Sequence, residues 1–132
     1  MADEQRVAVV TGGSGAIGNA IVTALEESEH RTVALGRRTE IACDLTPESS
    51  AKEAAAAVLE RHGRRDALVH CAAVFDAMPL SELDLPRRRR LMAGNVEASL
   101  WLAQAFAPGM AERGFGRIVL ISPDAQWTPQ AQ

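Results

Sequence analysis

A chain of 132 residues, 47% hydrophobic and 23% charged, fits one globular domain that buries roughly two-thirds of the surface its unfolded form exposes. A net charge of −3 argues against general affinity for nucleic acid, and the apolar runs are far too short to span a bilayer. Residues 1–6 carry no signal-peptide pattern, so the expectation is a cytoplasmic protein in which Cys43 and Cys71 are reduced, buried thiols.

Apolar runs alternate with amphipathic stretches, the pattern of a parallel sheet with crossover helices. Residues 6–10 predict a first strand, followed by Thr11-Gly12-Gly13-Ser14-Gly15-Ala16-Ile17-Gly18. There the chain must reverse from strand to helix within a few residues, and glycines leave backbone open to a pyrophosphate at the N–H groups of the helix start. A helix is expected over 16–29, with Ile17, Ile21, Val22 and Leu25 on its apolar face. Residues 32–35 predict strand two, ending in Gly36-Arg37-Arg38, and 41–43 a short strand three. Thr46 as cap and Pro47 in the first turn predict a helix that runs to His62 and is ended by Gly63.

Residues 66–70 predict strand four and 79–86 a connection of short turns. A long helix over 87–113 carries Leu91, Val96, Leu100, Leu102 and Phe106, with Pro108 expected to bend or end it. Its start, Arg87-Arg88-Arg89-Arg90, points in several directions and predicts a solvated turn rather than a nucleic-acid stripe. Gly116-Arg117 opens strand five over 118–121, and residues 122–132 show little periodicity. Right-handed crossovers give a Rossmann-like, doubly wound α/β sheet of order 3-2-1-4-5, spanning residues 1–132 as one domain. The segments 12–18, 36–38, 43–45 and 70–73 then converge on one edge, where such sheets bind ligands.

These motifs resemble the short-chain dehydrogenase/reductase family over residues 7–122. The turn resembles that family's TGxxxGxG, with Ala16 in place of the middle glycine, which implies Gly12, Ser14, Ala16, Ile17 and Gly18 at the cofactor pyrophosphate. Asp44-Leu45 is similar to the segment that contacts adenine, and Cys71, Ala72 and Ala73 to the strand-four motif ending Asn-Asn-Ala-Gly. Asn95 resembles the helix asparagine of the proton relay; a mid-helix asparagine that bonds neighbouring backbone is the other reading. In the strand-five motif the family's catalytic serine falls on Pro123, with Ser122 its neighbour. No metal site is expected. A carboxylate at the end of strand two would select NAD; Arg37 and Arg38 favour NADP(H) over NAD(H).

The family's general acid is a tyrosine with a lysine one helical turn later, whereas this sequence has no tyrosine and a single lysine, Lys52. The resemblance therefore implies the cofactor-binding half of an NADPH-dependent oxidoreductase, truncated after strand five and without turnover by itself. Small carbonyl or alcohol substrates enter only if the missing segment is supplied. The alternative is a non-catalytic NADP(H)-binding module or partner subunit of a full-length homologue; nucleic-acid binding through the arginine run is a third reading. An open sheet edge after strand five predicts a homo-oligomer.

Overall fold

The computed structural model describes residues 5–122 and places five parallel strands in the order β3-β2-β1-β4-β5. The central β1 (Val7–Thr11) is buried along its whole length, which is why it reads as an unbroken apolar run ending in a threonine. β2 (Arg31–Gly36) and β4 (Ala67–His70) flank it, with Val9 opposite both Val33 and Leu68. β3 (Ile41–Ala42) and β5 (Arg117–Leu120) are the outer strands of the described sheet, so the doubly wound order expected from the sequence holds.

One face of the sheet carries α2 (Glu48–His62) and α4 (Ala98–Glu112), packed on each other. Val7, Val9, Val33, Leu35 and Leu68 meet Ala54, Ala55 and Val58 of α2 and Leu102, Phe106 and Met110 of α4 in one core. Small side chains on one helix against bulky ones on the other fill that layer. α1 (Ala16–Glu27) packs on β1 and β2 from the other face, with Val22 and the Ala34 methyl both close to Gly13. Its expected apolar face is used only in part: Ile21, Val22 and Leu25 are half-buried, but Ile17 is 62% exposed.

The segment expected as one long helix is three pieces. α3 (Leu85–Met92) starts earlier than expected, because the Asp84 carboxylate accepts the Arg87 amide at 2.9 Å and Pro86 fits the first turn. A π-helical turn follows over Ala93–Glu97. α4 continues through Pro108 to Glu112; burial of Phe106, Gly109 and Met110 around the proline offsets the hydrogen bond it removes. Thr46 does not cap α2. Pro47 takes the cap position, and Thr46 instead donates its amide (3.0 Å) and hydroxyl (2.7 Å) to Asp44 Oδ1. Gly63 ends α2 as expected, in the left-handed region at φ 67°.

At the opposite sheet edge from the cleft described below, Asp66 is 2% exposed just ahead of β4. Its carboxylate accepts from the Val7 amide at 2.8 Å and from Arg64 Nε and Nη2 at 2.9 and 2.7 Å. Burial pushes this carboxyl up, but the Arg64 fork and the Val7 amide outweigh it, and the pKa is lowered.

Candidate cofactor site

The C-terminal ends of β1 to β4 open into a cleft of about 590 Å³. Its floor is the turn after β1. Gly12 sits at φ +68°, and a Cβ on it would stand 2.9 Å from the amide nitrogen of Ala72, so only glycine lets the turn meet the loop after β4. Gly18 is buried, and a side chain there would run into the Gly12 carbonyl. The α1 N-terminus has Gly15 at the cap, no side-chain cap and no acidic residue in the first turn; its first α-helical bond is Asn19 N to Gly15 O. The amides of residues 16–18 are thus uncapped by side chains and suited to an anion.

A second wall follows β4. Thr11 Oγ1 accepts from the amides of Cys71 and Ala72, both at 3.1 Å, and lies 2.9 Å from His70 Nδ1. Beyond it, Asn95 clamps Val74 with both ends of its side chain: Oδ1 accepts the Val74 amide and Nδ2 donates to the Val74 carbonyl, each at 2.8 Å. Gly94, in the π turn, touches the Val74 side chain where a Cβ would collide with it, and so draws that turn against the cleft.

The third wall carries the charge. Gly36 ends β2, and Arg37 and Arg38 follow it at the cleft, both exposed. Thr39 braces this loop, its hydroxyl 3.1 Å from both the Gly36 and Ile41 carbonyls. Hydrogen bonds from the Thr46 amide and hydroxyl hold the Asp44 carboxyl below its usual range, with lesser help from Arg37 and Arg90. Cys43 and Cys71 also line the cleft; both are free and half-buried rather than buried, and burial raises the pKa of each thiol.

A profile described as short chain dehydrogenase matches residues 6–132. The chain belongs to the short-chain dehydrogenase family. It is 31% identical over 138 residues to the D-threitol dehydrogenase of Mycolicibacterium smegmatis, covering 91% of this chain and 53% of that protein. It is 32% identical to the sorbitol dehydrogenase of Cereibacter sphaeroides, covering 84% and 49%. Among solved structures, a metagenomic short-chain oxidoreductase in complex with NADP superposes with a TM-score of 0.84 at 34% identity, over 96% of this chain and 66% of that one. The TT0495 protein of Thermus thermophilus gives 0.87 at 35%, over 94% and 58%. The chain spans about half the length of the curated relatives it matches.

Within this dehydrogenase fold, the residues singled out in the sequence separate into two groups. Gly12, Ser14, Arg37, Arg38, Asp44, Leu45, Cys71, Ala72 and Ala73 line the cleft together. Ala16, Ile17 and Gly18, in the first turn of α1, are not among the residues that line it; Gly18 is buried and Ile17 is exposed. Asn95 spends its side-chain amide on the Val74 backbone, 21 residues away rather than on the neighbouring backbone, and reaches the cleft through the loop it holds. Ser122 is exposed beyond β5, and Pro123 lies outside the described residues. Thr46, Val74 and Gly94 line the cleft without having been singled out for it. For Gly94 the signal was present as a glycine inside a helical pattern.

Proposed function

We propose that this chain binds NADP(H) in the cleft in preference to NAD(H), as the cofactor-binding part of an oxidoreductase that transfers hydride between NADPH and a small carbonyl or alcohol substrate, and has no turnover by itself. The observation that carries the reading is Arg37 and Arg38 at the end of β2, where an acidic side chain would repel a ribose 2′-phosphate. A relative of 34% identity solved with NADP supports it.

The site residues fit such a dinucleotide. Gly12 lets the pyrophosphate approach the backbone, and the uncapped amides at the start of α1 meet its charge. Asp44 keeps Oδ1 on Thr46 and offers Oδ2 to the adenine amino group. Arg37 suits a bidentate phosphate contact. Cys71, Ala72 and Ala73 are small enough to let the cofactor lie along the wall after β4. A bound NADPH supplies the hydride. Proton donation is not assigned to these residues: the sequence has no tyrosine, and Lys52 lies on α2, 2.8 Å from Glu48 and away from the cleft.

Calorimetric titration with NADPH and NADH tests the reading. Arg37→Ala is expected to cut the NADPH-to-NADH preference roughly ten- to a hundredfold, the 1.5–3 kcal/mol of a hydrogen bond to a charged group. An unchanged ratio overturns the assignment. With a panel of ketones, residues 1–132 alone are expected to show no NADPH oxidation above background; steady turnover proportional to this protein would refute the reading that these residues lack the proton donor.

A further inference from the structure

His70 closes β4 and is 3% exposed. Its cross-strand partners are Thr11 on β1 and Leu120 on β5. A hydroxyl has one proton and two lone pairs. The Ala72 amide and the Cys71 amide, which Oγ1 shares with the Thr11 carbonyl at 3.3 Å, both donate to Thr11 Oγ1 and engage its lone pairs, which leaves the Thr11 proton for His70 Nδ1. Nδ1 is therefore the bare nitrogen, and the neutral ring carries its proton on Nε2. A proton on Nδ1 would set donor against donor. Nε2 is buried and makes no close hydrogen bond among the described residues, the Gly94 carbonyl being the group that favours a proton on the ring. The contact thus accepts one charge state and one tautomer.

The groups that face the ring are uncharged: the Thr11 hydroxyl from β1, Leu120 from β5 and the Gly94 carbonyl from the π turn. No carboxylate or cationic side chain among the described residues offsets a charge there. Burial disfavours the charged ring more than the Gly94 carbonyl favours it, so the pKa is lowered from 6.5.

We propose that His70 is a positioning residue that works only as the neutral Nε2–H imidazole. In that form it holds the Thr11 hydroxyl on the Cys71 and Ala72 amides and keeps the wall after β4 seated on Gly12; protonation in acid releases that wall and weakens dinucleotide binding. The inference rests on the reading of the cleft as a nicotinamide-dinucleotide site.

Two measurements test it. In the cofactor-free, unaltered chain, ¹⁵N spectra of the histidine rings are expected to show His70 as the Nε2–H tautomer, titrating below 6.5. The dissociation constant of NAD⁺, which lacks a 2′-phosphate of the kind that titrates near pH 6, is then followed with pH in wild type and His70→Asn. Asn Oδ1 can still accept from Thr11 but does not titrate. In wild type the constant is expected to be flat above about pH 7 and to rise toward tenfold per pH unit once the ring protonates, the slope for one proton taken up. In His70→Asn it is expected to stay flat. An Nδ1–H tautomer, an ordinary titration, or the same acid dependence in both proteins overturns the proposal. If neither protein binds NAD⁺ or NADPH at any pH, the functional reading has failed, and the ring's tautomer and titration alone decide the role of His70.

Discussion

Gly12 and Gly63 share a backbone conformation, φ +68° and +67°, and differ in what surrounds them. Gly12→Ala and Gly63→Ala therefore isolate the crowding at the cleft floor. Both substitutions force an L-residue into the left-handed region, about 1–2 kcal/mol, and both restrict the unfolded chain equally. At Gly63 a Cβ meets nothing within 4 Å. At Gly12 it would stand 2.9 Å from Ala72 N, 3.0 Å from Ala72 Cα and 3.1 Å from the Cys71 carbonyl carbon. All three atoms are backbone, and Thr11 Oγ1 holds both residues by their amides, so the wall cannot yield as a flexible side chain would. Overpacking of that kind adds about 1–3 kcal/mol. Urea denaturation of the two variants, compared by midpoint at constant slope, is expected to show Gly12→Ala less stable than Gly63→Ala by that difference. Dinucleotide affinity is expected to fall in the first and to hold in the second. Equal stabilities would refute the reasoning, since the wall after β4 would then move freely; undiminished affinity in Gly12→Ala would show that the cleft does not need the close approach.

Asp66→Ala leaves the Val7 amide and Arg64 without their carboxylate and is expected to cost about 3 kcal/mol, the low end for a broken buried pair because Arg64 stays partly in solvent. The folded pKa of Asp66 lies below the unfolded 3.8, so its stabilisation is complete above that value and lost as pH falls through the folded pKa. Acid unfolding in wild type but a flatter profile in the variant, measured by circular dichroism, is the expected pair of results. At the sheet edge, β5 is exposed along its length, with Val119 at 44% and Leu120 at 57%. Such an edge is expected to make the chain associate as concentration rises, and Leu120→Lys to return it toward monomer; light scattering that finds a concentration-independent monomer in wild type would refute this.

The sheet and its order were legible because they rest on local periodicity. Val7 to Val10 is apolar without interruption since β1 is covered on both faces, and the alternation of such runs with amphipathic helices forces parallel strands and right-handed crossovers. The glycine turn and the arginines after β2 were legible for the same reason, since each lies within a few residues of the strand end that places it. Other features depended on partners distant in the chain. Nothing near Asn95 shows that its amide closes on Val74, 21 residues away, or that the helix takes a π turn there. Thr46 looked like a cap until Asp44 took both its donors, and Ile17 looked buried because its spacing matched a face that the sheet covers only in part. The contact between Thr11 and His70 joins residues 59 apart and exists because the β1–β4 register sets them side by side. Periodicity encodes which face of an element is apolar; register decides which polar side chains meet across it, and pairing between distant strands is settled only when the sheet forms.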